Sequence, residues 1–193
     1  MPRRSRRRGA ALEEAIFDAV VDEVNELGCD AASLEGIALR ARIGRMSLYR
    51  RWPDKTALVL ATLRARLPEA IEADAGAEPR ERLRQLLASM FDSSDRSAAF
   101  LLRVATAKAV APATDPVAAA VRSEVLEPRI GRLAAVLRAA QTDGLLPEAA
   151  DIELLASAGP ALLFQRRLLT GARPSAADVR RVVDLILPIG GRA

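Results

Sequence analysis

The sequence predicts an all-α protein of about nine helices, and three observations support this fold class. Alanine, leucine and arginine are abundant in the 193 residues, and aromatic residues make up only 3%, a composition typical of helices. Apolar residues recur every three or four positions along most of the chain, which is the spacing of one helix face. No segment shows the alternation of apolar and polar residues that indicates a β-strand.

The first helix is predicted over residues 10–27, where an apolar stripe runs from Leu12 to Leu27. Gly28 follows directly and is suited to end the helix in a left-handed conformation. The preceding residues 1–9 contain "RRSRRRG" and are predicted to be a disordered basic arm.

Three further helices are predicted at short intervals. The Ser33 hydroxyl is placed to cap a helix over residues 34–41. After the turn "RIG", a third helix carries residues 45–52, and a proline closes it. Asp54 is placed to cap a fourth, longer helix that begins at Lys55.

The remaining helices are separated by proline-containing segments. Their predicted ranges are 80–91, 98–110, 117–141, 152–169 and 176–187. Ser175 and Asp178 have the spacing of a capping box for the last of them. Pro128 and Pro160 are expected to kink the two helices that contain them.

The residue types that most catalytic and metal sites need are scarce. The chain has no histidine and a single cysteine, Cys29, so the commonest metal ligand and general base are missing and a disulfide framework is excluded. We therefore expect no enzyme activity, no metal and no cofactor. An export signal is also not expected, because acidic residues follow "MPRRSRRR" where an apolar core should lie. Without a spanning apolar stretch, we expect a soluble cytoplasmic protein with no membrane partner.

The positive charge is concentrated near the N-terminus. The net charge of +4 arises within residues 1–66, because acids and bases balance in the remainder. There, basic blocks at residues 3–8 and 40–55 flank the acidic first helix. Such a pattern favours an anionic polymer as partner, since phosphate contacts supply most non-specific affinity. A basic tail beside a solvated helix face would produce the same pattern.

The second and third predicted helices have the helix-turn-helix arrangement, in which the second helix lies in the DNA major groove. Their segment "SLEGIALRARIGRMSLYRRWPDKTAL" resembles the DNA-binding signature of the tetracycline-repressor (TetR) family of transcriptional regulators. The matching positions are Ile37, Ala38, Ile43, Leu48, Tyr49, Trp52, Lys55 and Leu58. Two positions depart from the pattern: Arg42 stands where the family usually has glycine, and Gly44 where it has serine or threonine.

The resemblance implies phosphate contacts for the hydroxyls of Ser33 and Tyr49 and for the ammonium of Lys55. The Tyr49 ring would pack against the domain, and Trp52 would face inward.

The resemblance also implies base contacts along the third helix. Arg45, Ser47 and Arg50 would reach base edges, with Arg45 the candidate for a bidentate guanine contact. Met46 would touch a thymine methyl group.

The helices beyond residue 60 carry no nucleophile–base pair and no phosphate loop, and the resemblance implies an effector cavity among them. The candidate lining residues are Met90, Phe91, Phe100, Leu101, Arg103, Val104 and Phe164. The charge of Arg103 would either select an acidic effector or face water.

The last two helices carry wide apolar faces, and the resemblance implies that they form a four-helix interface between two subunits. The candidate interface residues are Leu155, Leu162, Leu163, Val179, Val183 and Ile186. A homodimer would present two recognition helices to a near-palindromic operator in double-stranded DNA.

The leading hypothesis is a dimeric DNA-binding transcriptional regulator, a repressor that a small-molecule effector releases from its operator. Its predicted domains are the arm at 1–9, a DNA-binding domain at 10–56 and an effector-binding and dimerisation domain at 57–193. The alternative is a helical carrier of lipid or another hydrophobic ligand, whose basic arm docks on anionic membranes.

Overall fold

The computed structural model describes residues 3–67, 72–91, 95–112 and 114–188, and the regular structure in these ranges is helical. The helices are α1 (Arg3–Leu27), α2 (Leu34–Arg40), α3 (Arg45–Tyr49), α4 (Lys55–Arg66), α5 (Pro79–Ser89), α6 (Asp95–Lys108), α7 (Pro116–Ala120), α8 (Glu127–Thr142), α9 (Ile152–Thr170) and α10 (Ala176–Ile186). A π-helical turn, Val121–Leu126, follows α7 and leads directly into α8. These ranges therefore contain nine helical stretches, and the all-α prediction is confirmed.

The predicted helix-end signals in the N-terminal region are confirmed. Gly28 has a φ of 90°, the left-handed conformation that glycine adopts without steric cost. The Ser33 hydroxyl accepts a hydrogen bond from the Gly36 amide at 3.0 Å. The Asp54 carboxylate accepts one from the Ala57 amide at 2.8 Å. Each helix start thus gains a partner for an otherwise free amide.

Two helix bounds differ from the prediction. The backbone is helical from Arg3 onward, whereas residues 1–9 were predicted to be disordered, because arginine is a good helix former that extends α1. α3 ends at Tyr49, three residues before the predicted end at Trp52. The Trp52 amide still bonds to the Leu48 carbonyl at 2.9 Å, but the proline that follows disfavours a helical conformation there.

The first compact unit comprises residues 1–68 and 94–124, with α1 in contact with α2, α4 and α6. Its fully enclosed side chains include Ile16, Ile37, Leu48, Leu58, Leu63 and Phe100. Ion pairs bind the outer faces of these helices: Arg66 of α4 lies 2.9 Å from Asp18, and Arg96 of α6 lies 2.7 Å from Asp22. The acidic face of α1 is therefore neutralised by arginines from its neighbours.

The second compact unit comprises residues 69–93 and 125–193 and contains α5, α8, α9 and α10. α8 and α10 each pack against both α5 and α9 around one apolar core. α9 approaches its neighbours closely at Gly159, where a Cβ would lie 3.0 Å from Leu87 and 3.1 Å from Ile186. The predicted capping box of Ser175 and Asp178 is present at the start of α10.

The predicted functional domains, 10–56 and 57–193, stay a prediction. α6 and α7 follow residue 57 in sequence but belong to the first compact unit, because they pack on α1 and α4. None of the described helices combines the length and apolarity needed to cross a membrane.

Candidate nucleic-acid interface

α2, α3 and the turn between them form the scaffold of the candidate interface. Ile37 and Ala38 of α2 and Leu48 of α3 are buried. Trp52 is also buried, and its ring centroid lies 5.7 Å from that of Phe17 in α1. The buried face leaves the opposite face of α3 available to a partner.

The turn between α2 and α3 contains an unusual exchange of residue types. Arg42 has a φ of 55°, in the left-handed region that disfavours residues with a Cβ. Gly44, in contrast, has an extended conformation with φ −72° and ψ 141°, which any residue adopts. The chain therefore has arginine at a position where the backbone favours glycine. It has glycine at the N-cap of α3, where a serine or threonine side chain would accept a hydrogen bond from the helix.

The residues predicted to read DNA lie together on the outer face of α3. The Met46 side chain is 72% exposed and that of Tyr49 41% exposed. Arg45 and Arg50 are also exposed, and Ser47 is partly exposed. The face thus combines guanidinium donors, hydroxyls and an apolar contact group.

Arg45 is held within this face by two neighbours. Its guanidinium pairs with the Glu35 carboxylate of α2. Interaction with the Tyr49 hydroxyl, and secondarily the charge of Glu35, raises the pKa of Arg45 above its usual value. Sequence reasoning missed the contact with Glu35, because no periodic pattern links residues on either side of the turn.

The basic residues around the turn differ in their partners. The Arg40 guanidinium Nε lies 2.5 Å from the Glu23 carboxylate, which is buried, and Arg51 lies 3.8 Å from an acid of α1. Arg42 and Arg50 make no ion pair or hydrogen bond with any side chain that the structure describes. Those two guanidiniums carry the uncompensated charge at the ends of α3.

Lys55 has a structural contact that the sequence did not predict. Its ammonium donates hydrogen bonds to the backbone carbonyls of Cys29, Asp30 and Ala32 at 3.2, 2.8 and 3.0 Å. An ammonium has three donors, so a phosphate would have to replace one of these carbonyls, and the predicted phosphate contact of Lys55 stays a prediction. Lys55 thus ties the start of α4 to the loop after α1.

Ser33 keeps the donor that a phosphate contact requires. Its hydroxyl oxygen accepts the Gly36 amide, so the hydroxyl hydrogen can still be donated. Its predicted phosphate contact stays a prediction.

Two protein-family models match this chain. "Bacterial regulatory proteins, tetR family" matches residues 16–62, and "Tetracyclin repressor-like, C-terminal domain" matches residues 56–186. The chain belongs to the TetR family. It is accordingly a DNA-binding transcriptional regulator, which favours regulation over the alternative of a lipid carrier.

Known TetR-family proteins and other regulators resemble this chain to different extents. The uncharacterized HTH-type transcriptional regulator YdeS of Bacillus subtilis (strain 168) is 34% identical over 70 residues. That match covers 34% of this chain and 35% of YdeS, so the chain spans about a third of the length of this curated relative.

Two solved structures share the fold over nearly the full chain. A putative TetR-family transcriptional regulator from Rhodococcus sp. has 20% identity and a TM-score of 0.72, over 92% of this chain and 99% of that one. FadR from Bacillus subtilis, solved in complex with stearoyl-CoA, has 16% identity and a TM-score of 0.72, over 91% and 98%. At these identities the likeness concerns the fold alone.

The residues predicted to line an effector cavity in this TetR-family protein are divided between the two compact units. Those in the first unit are Phe100, Leu101, Arg103 and Val104, and those in the second are Met90, Phe91 and Phe164. Phe100 and Val104 are fully buried, whereas Arg103 is exposed. One apolar gap in the core of the second unit, beside Leu87 and Leu155, is too narrow to admit a water molecule.

The predicted dimer interface needs correction. Four of its residues are buried in the core of the second unit of the same chain, so they are not available to a partner; they are Leu163, Val179, Val183 and Ile186. Leu162 is 36% exposed, and Leu155 is half-buried against the core. The exposed large apolar residues of α9 and α10 are Leu162, which was predicted, and Leu154, Leu168, Leu169 and Leu185, which were not.

Proposed function

We propose that this regulator binds an inverted-repeat operator as a homodimer and represses transcription until a small-molecule effector releases it. The exposed face of α3 carries this proposal. It presents Arg45, Met46 and Ser47 on a scaffold whose apolar side is buried, and Tyr49 and Arg50 adjoin them. This arrangement suits a helix that enters the major groove and reads base edges.

Arg45 supplies the sharpest test of DNA reading. Sequences selected from random DNA by the wild-type protein would define the operator, and fluorescence anisotropy would measure affinity. We expect Arg45→Ala to weaken operator binding at least about 5-fold and to relax the preference at one base pair in each half-site, because a bidentate arginine–guanine pair discriminates strongly. Selection of sequences without twofold symmetry would contradict the proposed operator.

Arg138 offers a matched control for that variant. Its side chain is 58% exposed and pairs with Glu153, compared with 57% exposure and a Glu35 partner for Arg45. Arg138→Ala therefore removes an equivalent surface ion pair from the second unit. If Arg45→Ala and Arg138→Ala lost the same operator affinity, the cause would be a general effect of charge. That result would refute the assignment of Arg45 as a base-reading residue.

The dimer would form through the exposed leucines of α9 and α10. Leu154, Leu169 and Leu185 are 64, 80 and 68% exposed, and they lie on the two helices that end the described part of the second unit. A second copy of this chain would bury them in a twofold interface, in which the same surface of each subunit meets. A homodimer would present one α3 helix to each half-site of the operator.

Sedimentation of surface variants tests the dimer. We expect Leu169→Glu combined with Leu185→Glu to convert the dimer to a monomer, because it places carboxylates in an apolar interface. Val110→Glu is the control, since Val110 is 94% exposed and lies in the first unit. A wild-type protein that sediments as a monomer at micromolar concentration would contradict the proposal.

The effector is proposed to be an apolar small molecule. Met90 and Phe91 are partly buried and pack against the apolar core of the second unit, and one structure of similar fold, FadR, was solved with stearoyl-CoA. Adding stearoyl-CoA to the protein–operator complex should lower the anisotropy, whereas coenzyme A alone should not. If neither stearoyl-CoA nor coenzyme A releases the protein from the operator, the result would argue against an acyl-chain effector. Other apolar compounds would then be tested.

A further inference from the structure

Among the residues that the structure describes, Arg42 is the only one other than glycine that has a positive φ. A left-handed backbone brings Cβ close to the following carbonyl, so arginine is less stable there than glycine. Residues held in such conformations cluster where the surrounding structure has a function to serve. A basic residue needed only for solubility could occupy any exposed helical position without this strain.

The surroundings of Arg42 leave its charge available. The side chain is exposed, and it forms no ion pair or hydrogen bond with any side chain in the described ranges. Its basic neighbours differ, because Arg40 is bound to Glu23 and Arg45 to Glu35. A guanidinium without a carboxylate partner can meet an external anion at no cost of breaking an internal pair.

Arg42 lies at one end of the candidate recognition helix. It lies in the turn immediately before α3, and Arg50, also without a partner among the described side chains, caps the other end. A cation before the helix and one at its end flank the residues that would enter the major groove, and the phosphates line the edges of that groove. Cations at these two positions are therefore candidates for contacts with the phosphates beside the groove.

We propose that Arg42 is a phosphate-binding residue, held in a left-handed turn so that its guanidinium reaches the DNA backbone beside α3. The inference rests on the proposed function, and it adds a contact at a position where the family pattern has glycine. Because phosphates carry no sequence information, Arg42 strengthens binding to operator and to random DNA alike.

Three variants separate the charge from the backbone strain. Arg42→Gly removes both, Arg42→Gln removes the charge and keeps the strain, and Arg42→Lys keeps the charge and the strain. We expect Arg42→Gly to leave the melting temperature unchanged or to raise it by up to about 4 °C while it weakens DNA binding. DNA affinity would thus fall without any loss of stability, which a merely structural role does not produce.

The salt dependence of binding provides the decisive measurement. A dimer that loses two phosphate contacts should show a plot of log K against log salt that is shallower by about 1.8. Arg42→Gly and Arg42→Gln should both show this change, Arg42→Lys should retain most of the slope, and Arg138→Gln should retain all of it. If the wild-type protein binds DNA but Arg42→Gln shows the same salt slope, the phosphate contact of Arg42 is refuted while the proposed function stands. Absence of any DNA binding by the wild-type protein would overturn the proposed function and this inference with it.

Discussion

Gly36 of α2 lies where a side chain would collide with a buried carboxylate. A Cβ built at Gly36 would lie 1.9 Å from Glu23 Oε1 and 2.6 Å from its Cδ. Glutamate side chains normally move aside, but Glu23 is only 3% exposed, and its other oxygen accepts a hydrogen bond from Arg40 Nε at 2.5 Å. Substitution by alanine should therefore strain the contact between α1 and α2.

The expected magnitude follows from two opposing effects. Ordinary contact begins at 3.4 Å, so the carboxylate must shift by more than an ångström and disturb its pair with Arg40. Overpacking of this kind costs about 1 to 3 kcal/mol, whereas alanine in place of glycine stabilises a helix interior by about 0.5 to 1 kcal/mol. The net prediction for Gly36→Ala is a loss of about 1 to 2 kcal/mol, equivalent to a melting temperature lower by about 2 to 8 °C.

A double-mutant cycle isolates the collision. In a Glu23→Ala background the obstructing carboxylate is absent, so Gly36→Ala should instead stabilise the protein by about 0.5 to 1 kcal/mol. Thermal and urea denaturation at one fixed protein concentration would measure all four forms, because association shifts apparent stability. The reasoning is refuted if Gly36→Ala is as stable as wild type, or if the loss is the same in both backgrounds.

Three further predictions concern caps and charges. Lys55→Met should lower the stability of the protein by about 2 kcal/mol, because three carbonyls lose a charged donor; wild-type melting with weakened DNA binding would contradict this structural role and support the phosphate contact instead. Asp54→Ala should cost about 1 kcal/mol by removing the cap of α4, and an unchanged denaturation midpoint would contradict the capping geometry. Hydrogen bonding to Arg84 lowers the pKa of Glu81 from 4.5 to about 2, so its stabilisation is present above about pH 4.5 and lost as the pH falls toward 2. The stability difference between wild type and Arg84→Gln should therefore shrink over that range in acid titrations, and a constant difference would argue against the pair.

Features that depend on neighbouring residues in the chain could be predicted from the sequence. Gly28, Ser33 and Asp54 mark helix ends through hydrogen bonds or backbone angles within three or four residues of themselves. Local geometry determines such features because few alternative partners lie within reach.

Features that depend on contacts between distant segments needed the tertiary structure. Val183 and Leu185 are both apolar residues of α10, yet only the packing of this helix against α5 and α9 buries the first and exposes the second. The same holds for Lys55, whose partners lie 23 to 26 residues earlier in the chain, and for the pairing of Arg45 with Glu35 across the turn. The sequence by itself determined the family, the helices and the candidate DNA-binding segment, whereas only three-dimensional packing decided which charges are paired. Burial and ion pairing depend on how helices meet, and one-dimensional periodicity specifies a face without specifying what covers it.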